Sequence, residues 1–210
     1  MVVEIYRSLF EKFGKQHWWP VSSENEQFEV IIGAILTQNT SWKNVEKAIE
    51  NLKQSGLIDV EKMGKVKTSR LAQLIRPSGY FNQKAERLKI MARFLSENDI
   101  SLLGVEEMRE KLLCIKGVGP ETADSIILYA YNKPSFVVDM YTRRLFSRLG
   151  LVDKTASYDE VKQFFETKLK KDTKLFQEYH ALIVEHAKQF CKKKPSCENC
   201  PLEKGCKKLI

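Results

Sequence analysis

Residues 112–130 read LLCIKGVGPETADSIILYA: an apolar helical run, two glycines two apart, a proline, and a second apolar run. The pattern is helix, hairpin, helix. Gly117 and Gly119 relieve the steric limits of a tight turn and let the backbone approach a ligand closely. Pro120 suits the first position of the next helix, where its missing N–H costs nothing. Amides of the turn, Val118 among them, then point outward at a helix start whose dipole favours an anion. Lys116 adds a charge beside them. Two glycines alone would equally suit a plain helix–helix turn. With Leu113, Ile115 and Val118 spaced to pack the two helices, the pattern points to phosphate binding. Cys114, between them, reads as a core residue.

Helical spacing continues on both sides. SSENEQFEVIIGAIL begins with a capping box, Ser23 with Glu26 three residues on, and Phe28, Ile31, Ile32 and Ile35 share one face. SWKNVEKAIENLKQ, VKTSRLAQLIRPSG, NQKAERLKIMARFLSEN and GVEEMREKLLCIKG repeat the pattern, each ending at a Gly, Pro or Asn break or close to one. SFVVDM is the one short strand candidate. The fold is expected to be all-α, with about ten helices joined by short loops.

With 210 residues the chain suits one or two domains and can bury a sizeable core. Its net charge of +8 and pI near 9.1 favour a polyanionic partner such as nucleic acid. The N-terminal MVVEIYRSLFEKFGKQ interleaves charges with apolar residues, unlike a signal peptide. No run approaches the roughly 18 apolar residues of a membrane span. A cytoplasmic protein is expected, with no membrane partner.

Cys191, Cys197, Cys200 and Cys206 form C-x5-C-x2-C-x5-C near the C-terminus. In a reducing compartment such a cluster reads as a metal site rather than disulfides. Four soft thiolates this close in sequence can wrap a 4Fe–4S cluster or, alternatively, zinc. All four positions would be filled by protein, so the metal is structural. Six lysines interleave with the cysteines, so the metal would pin a basic loop against phosphate.

LLCIKGVGPETA, followed by Asp139 in FVVDMYTRRL, resembles the endonuclease III superfamily of helix-hairpin-helix DNA glycosylases. The terminal cysteines and ILTQNT extend the resemblance over nearly the whole chain, although the family's first cysteine gap is one residue longer. The resemblance implies a two-domain fold with a C-terminal iron–sulfur loop over residues 191–206. One six-helix domain would span residues 22–133, with the helix-hairpin-helix at about 105–130. Residues 1–21 plus 134–210 would make the second, with the DNA cleft between them. It also implies that Asp139 is the catalytic carboxylate. Cutting the bond between base and deoxyribose builds positive charge on the sugar, which a carboxylate offsets while positioning water. On residues alone, Asp139 could equally cap the following helix.

Bifunctional members carry a lysine two residues after the second hairpin glycine, and its amine forms a Schiff base that leads to strand cutting. Here that position is Glu121. A carboxylate forms no imine, so a monofunctional hydrolase is expected, with Lys116 left as the neighbouring amine. Gln38 matches the residue that fills the gap left by a flipped base, or is a helix-end amide bonding backbone.

WWP, ILTQNTSW, RPSGYFNQKAERL and GVGPETAD together look like the 3-methyladenine glycosylase branch. Trp18, Trp19 and Trp42 would then line the base pocket; each alone could be core. A tryptophan slot suits a cationic alkylated purine. The alternatives are an oxidised-pyrimidine glycosylase with lyase activity, a uracil/thymine mismatch glycosylase, and a non-catalytic DNA-binding module. The partner expected is double-stranded DNA bearing damaged bases, bound by a monomer in the nucleoid of a prokaryotic cell.

Overall fold

In a computed structural model that describes residues 1–21 and 23–209, the chain is all-helical. Among the described residues there are eleven α-helices and no strand. SFVVDM, the strand candidate, is an extended segment without a pairing partner, and its Phe136, Val137 and Val138 are buried. The chain divides into two compact units, Trp19–Lys133 and Met1–Trp18 with the chain from Pro134 onward. The domain boundary expected at Ser22 lies outside the described residues.

In the first unit, helix α2 (Glu26–Leu36) is buried at every residue from Phe28 to Leu36. It is therefore a core helix rather than an amphipathic one. Its cap is Asn25, whose side chain accepts from Phe28 N at 3.2 Å, and not Ser23. An asparagine caps as well as a serine, so both residues are competent. The capping box of this chain lies elsewhere, in the other unit. Ser157 Oγ accepts from Glu160 N, and Glu160 accepts from Ser157 N at 2.6 Å.

Around α2 lie α3 (Trp42–Gln54), α4 (Val60–Lys65), α5 (Thr68–Leu74), α6 (Phe81–Glu97), α7 (Val105–Leu113) and α8 (Pro120–Ser125), the last continuing into a π-type turn over Ile126–Ala130. Lys84 of α6 is only 1% exposed; its Nζ donates to Leu36 O at 2.8 Å and Ser78 O at 2.7 Å. A cation thus closes the carbonyl end of α2, where the helix dipole favours it. Burial, with Arg87 nearby, pulls this lysine down to about 8.

The second unit holds α1 (Val2–Phe13), α9 (Met140–Arg148), α10 (Tyr158–Lys168) and α11 (Thr173–Gln189). Its core is aromatic: Phe136 stacks on Phe165 at 4.0 Å, and Phe146 and Tyr179 meet them edge-on. Tyr179 OH donates to Val2 O at 2.8 Å, tying α11 to α1. Glu166 of α10 accepts from Phe136 N and from Lys162, which also donates to Ser135 Oγ. These bonds fix the extended segment that ends at Asp139.

Candidate active site

The hairpin forms between α7 and α8. Ile115 N donates to Leu112 O and Val118 N to Ile115 O, while Ile115 and Val118 turn inward, each 7% exposed. Gly117 has φ +89°, a left-handed conformation that favours glycine, and a Cβ there would run into the Arg87 side chain. Gly119 differs. Its φ of −97° is open to any residue, and a Cβ there would meet nothing within 4 Å. Lys116 and Glu121 are exposed. Cys114 is exposed too, not core: the helix ends at Leu113, and Leu112 takes the inward position.

Two contacts hold the hairpin, the first missed by sequence reasoning and the second anticipated as a helix-end amide bonding backbone. Arg109 Nε lies 3.0 Å from Asp124 Oδ1, and Asp124 is fully buried, so an ion pair joins α7 to α8. Gln38 Nε2 donates to Gly117 O at 3.1 Å and to Thr122 Oγ1 at 3.0 Å, while its Oε1 accepts from Arg87 Nη1. The amide after α2 is thus bonded into the hairpin itself.

Trp19 and Trp42 come together, rings edge to face at 5.2 Å, with Tyr129 at 5.2 Å from Trp19 on a tilt. Gly33 leaves room for Trp19; a Cβ there would lie 2.9 Å from its Cζ2. Trp42 Nε1 donates to Glu46 Oε1 at 2.8 Å, and Trp42 borders a groove of about 500 Å³ that also carries Glu46 and Glu50. Trp18 belongs to the other unit. There it meets His180 edge-on at 5.7 Å and carries Lys188 Nζ 5.8 Å from its ring centre.

Asp139 caps α9, its Oδ1 accepting from Thr142 N at 2.7 Å. Its Oδ2 lies 3.6 Å from His180 Nε2. Burial pushes this carboxyl up, but the His180 imidazole and the Thr142 N–H outweigh it and hold Asp139 below its ordinary value. His180 belongs to no motif. The available signal was a lone histidine inside the apolar YHALIV run of α11, since a buried imidazole needs a polar partner.

Cys191, Cys197, Cys200 and Cys206 are free thiols that border one cavity of about 30 Å³ with Leu145, Leu149 and Phe190. N–H donors face the sulfurs: Arg148 Nη1 is 3.3 Å from Cys191 Sγ, and Lys208 N is 3.4 Å from Cys206 Sγ. His186 Nε2 is 3.2 Å from Cys200 Sγ, and burial pulls that imidazole down to about 4, leaving it neutral at neutral pH. Burial also pushes the Cys200 thiol up. Among the described residues, no three His, Cys, Asp or Glu side chains converge as a single ion would require. The donor set, four thiols ringed by N–H groups around a cavity, fits a thiolate-held cluster.

A family model described as HhH-GPD superfamily base excision DNA repair protein matches residues 32–171. The chain belongs to this superfamily. It is 50% identical to a candidate DNA repair glycosylase of Methanocaldococcus jannaschii, over 98% of this chain and 96% of that protein. It is 32% identical to endonuclease III of Thermotoga maritima, over 98% of this chain and 92% of the relative. Among solved structures, Helicobacter pylori 3-methyladenine DNA glycosylase bound to 1,N6-ethenoadenine matches with a TM-score of 0.76 at 32% identity, over 90% of this chain and 97% of that one. A non-covalent endonuclease III–DNA complex shares the fold with a TM-score of 0.86 at 22% identity, over 99% and 94% of the two chains. The HhH-GPD chain described here is thus a base-excision-repair DNA glycosylase with the endonuclease III-like helix-hairpin-helix fold. No described helix is long and apolar enough to cross a membrane.

Proposed function

We propose that this glycosylase hydrolyses the N-glycosidic bond of alkylated purines such as 3-methyladenine in double-stranded DNA and leaves the strand uncut. The observation that carries the reading is the Trp19–Trp42 pair, with Trp42 on a groove that bears three carboxylates, Glu29, Glu46 and Glu50, against one lysine, Lys47. A purine alkylated at a ring nitrogen is cationic. It is drawn to aromatic faces, by about 0.5–2 kcal/mol per contact, and to carboxylates. The likeness to the Helicobacter pylori enzyme, named for 3-methyladenine, supports the same substrate class.

The target nucleotide is turned out of the duplex, and Gln38 gives up its bonds to Gly117 O and Thr122 to enter the space it leaves. Lys116 and the backbone of Gly117, Val118 and Gly119 grip phosphate. Asp139, held ionised, offsets the positive charge that grows on the sugar and guides water to it. The alkylated base is already a good leaving group and asks little of a general acid. Glu121, in the first turn of α8, forms no imine, so the reaction stops at the abasic site. Cys191, Cys197, Cys200 and Cys206 hold a 4Fe–4S cluster, which supplies structure and pins the lysine-rich loop. Four closely spaced thiols bordering one cavity, with N–H donors at Cys191 and Cys206, support the cluster.

Duplexes carrying 3-methyladenine, thymine glycol or a G·T mismatch test the reading. Free base is expected from the first, with the strand intact until heat or alkali is applied. Asp139→Asn is expected to lower excision by about 10²–10³ while damaged DNA still binds. Thymine glycol release with a borohydride-trapped adduct, lost in Lys116→Ala, would overturn the proposal in favour of a lyase acting on oxidised pyrimidines.

A further inference from the structure

We infer that His180 is the positioning residue of the reaction, fixing Oδ2 of Asp139 so that its carboxylate is presented ionised and in one orientation. The inference rests on the proposed role of Asp139. Among the described residues, three aspartates cap helices, which provides an internal control. Asp59 accepts from Lys62 N and Asp172 from Leu175 N, both at 2.8 Å, and both remain half-exposed. Asp139 makes the same cap at 2.7 Å, yet it is 8% exposed and faces a histidine that is itself 5% exposed. Capping occupies Oδ1 and asks for neither the burial nor the imidazole. Burying a carboxylate is unfavourable unless it is paired, so the histidine answers a need that the cap does not create.

His180 is also held rigidly. Its neighbours Tyr179, Ala181 and Leu182 are fully or almost fully buried, so the backbone of α11 cannot shift there. Trp18 meets its ring edge-on at 5.7 Å. The polar groups facing Asp139 are Thr142 from α9 and His180 from α11. The Trp18 ring that meets His180 also carries Lys188 Nζ of α11, 5.8 Å from its centre. The imidazole, with Nε2 3.6 Å from Oδ2, holds that oxygen and favours the carboxylate. Losing it leaves the Thr142 N–H alone against the burial of Asp139, and the carboxyl pKa rises.

The experiment measures single-turnover release of 3-methyladenine against pH, with affinity for abasic-site DNA and thermal stability measured alongside. His180→Phe keeps the volume and removes the donor; His180→Gln retains an N–H. The Phe variant is expected to be about 10- to 100-fold slower, in line with the loss of other orienting partners, with its acid limb moved to higher pH and DNA affinity unchanged. The Gln variant should regain most of the rate. Wild-type rate and acid limb in His180→Phe, beside an inert Asp139→Asn, would overturn this inference alone. Equal losses of rate and stability in the Phe and Gln variants, with the acid limb unmoved, would also overturn it by reducing His180 to packing. Full excision by Asp139→Asn would instead overturn the assignment of Asp139.

Discussion

The hairpin after α7 and the cysteine loop after α11 both follow helix ends and both carry lysine, but they are held together differently. The hairpin is complete in itself: a buried Arg109–Asp124 pair, two inward apolar residues and the Gln38 amide account for its shape. The cysteine loop has little apolar core of its own. Arg148 bonds the carbonyls of Lys192 at 2.6 Å and Lys193 at 3.0 Å, and the thiols surround a cavity. One turn is specified by the chain; on the proposed reading, the other is specified by the cluster its thiols hold. Damage should therefore stay local in the hairpin and spread through the whole loop at the C-terminus.

The largest effect that sharpens this contrast is expected from Cys197→Ala. Where binding and folding are coupled, losing one ligand removes much of the stability that the bound group provides. Amide exchange over residues 191–206 should approach that of an unfolded segment, and iron content should fall below the roughly four per chain that the proposed 4Fe–4S cluster requires. Hairpin amides should keep their protection. Retained protection in the loop without metal would break the comparison.

Next comes Arg109→Ala, which leaves Asp124 buried without its cation. Removing one partner of a fully buried pair costs about 3–5 kcal/mol, and somewhat less here, where 20% of the Arg109 side chain is exposed. Denaturant unfolding should show a loss of that order with the iron content unchanged. A loss near zero would mean that apolar contacts alone hold α7 to α8.

Much of this architecture is legible locally. The spacing of apolar residues in α3, α6 and α7 fixes helices because one buried face repeats every 3.6 residues. Gly117 and Pro120 fix the turn through backbone geometry, and the cysteine spacing marks its own loop. Legibility ends where the reason is not local. Ser23 and Asn25 are both competent caps, and only packing chooses between them. Cys114 follows the last residue of α7, so extending the helical period by one turn places it wrongly inside. The Arg87–Gln38, Arg109–Asp124 and His180–Asp139 pairs join residues 49, 15 and 41 positions apart, and no periodicity couples them.

The smallest expected effect on the fold belongs to the two hairpin glycines, which look alike in sequence. Gly117→Ala forces a side chain into a left-handed conformation against Arg87, at about 1–3 kcal/mol. Gly119→Ala adds a methyl into open space at φ −97° and should leave thermal stability within error of the wild type. For DNA the order changes. If the turn grips phosphate through its amides, the open space at Gly119 is where the backbone of the duplex comes close. A methyl there should then weaken binding to every sequence alike, with no change in salt slope because no charge is lost. Fluorescence anisotropy on undamaged duplex over a salt series separates the two cases. A stable Gly119→Ala protein that binds DNA as tightly as the wild type would mean that the second glycine serves neither fold nor ligand, and the hairpin would lose its claim to phosphate.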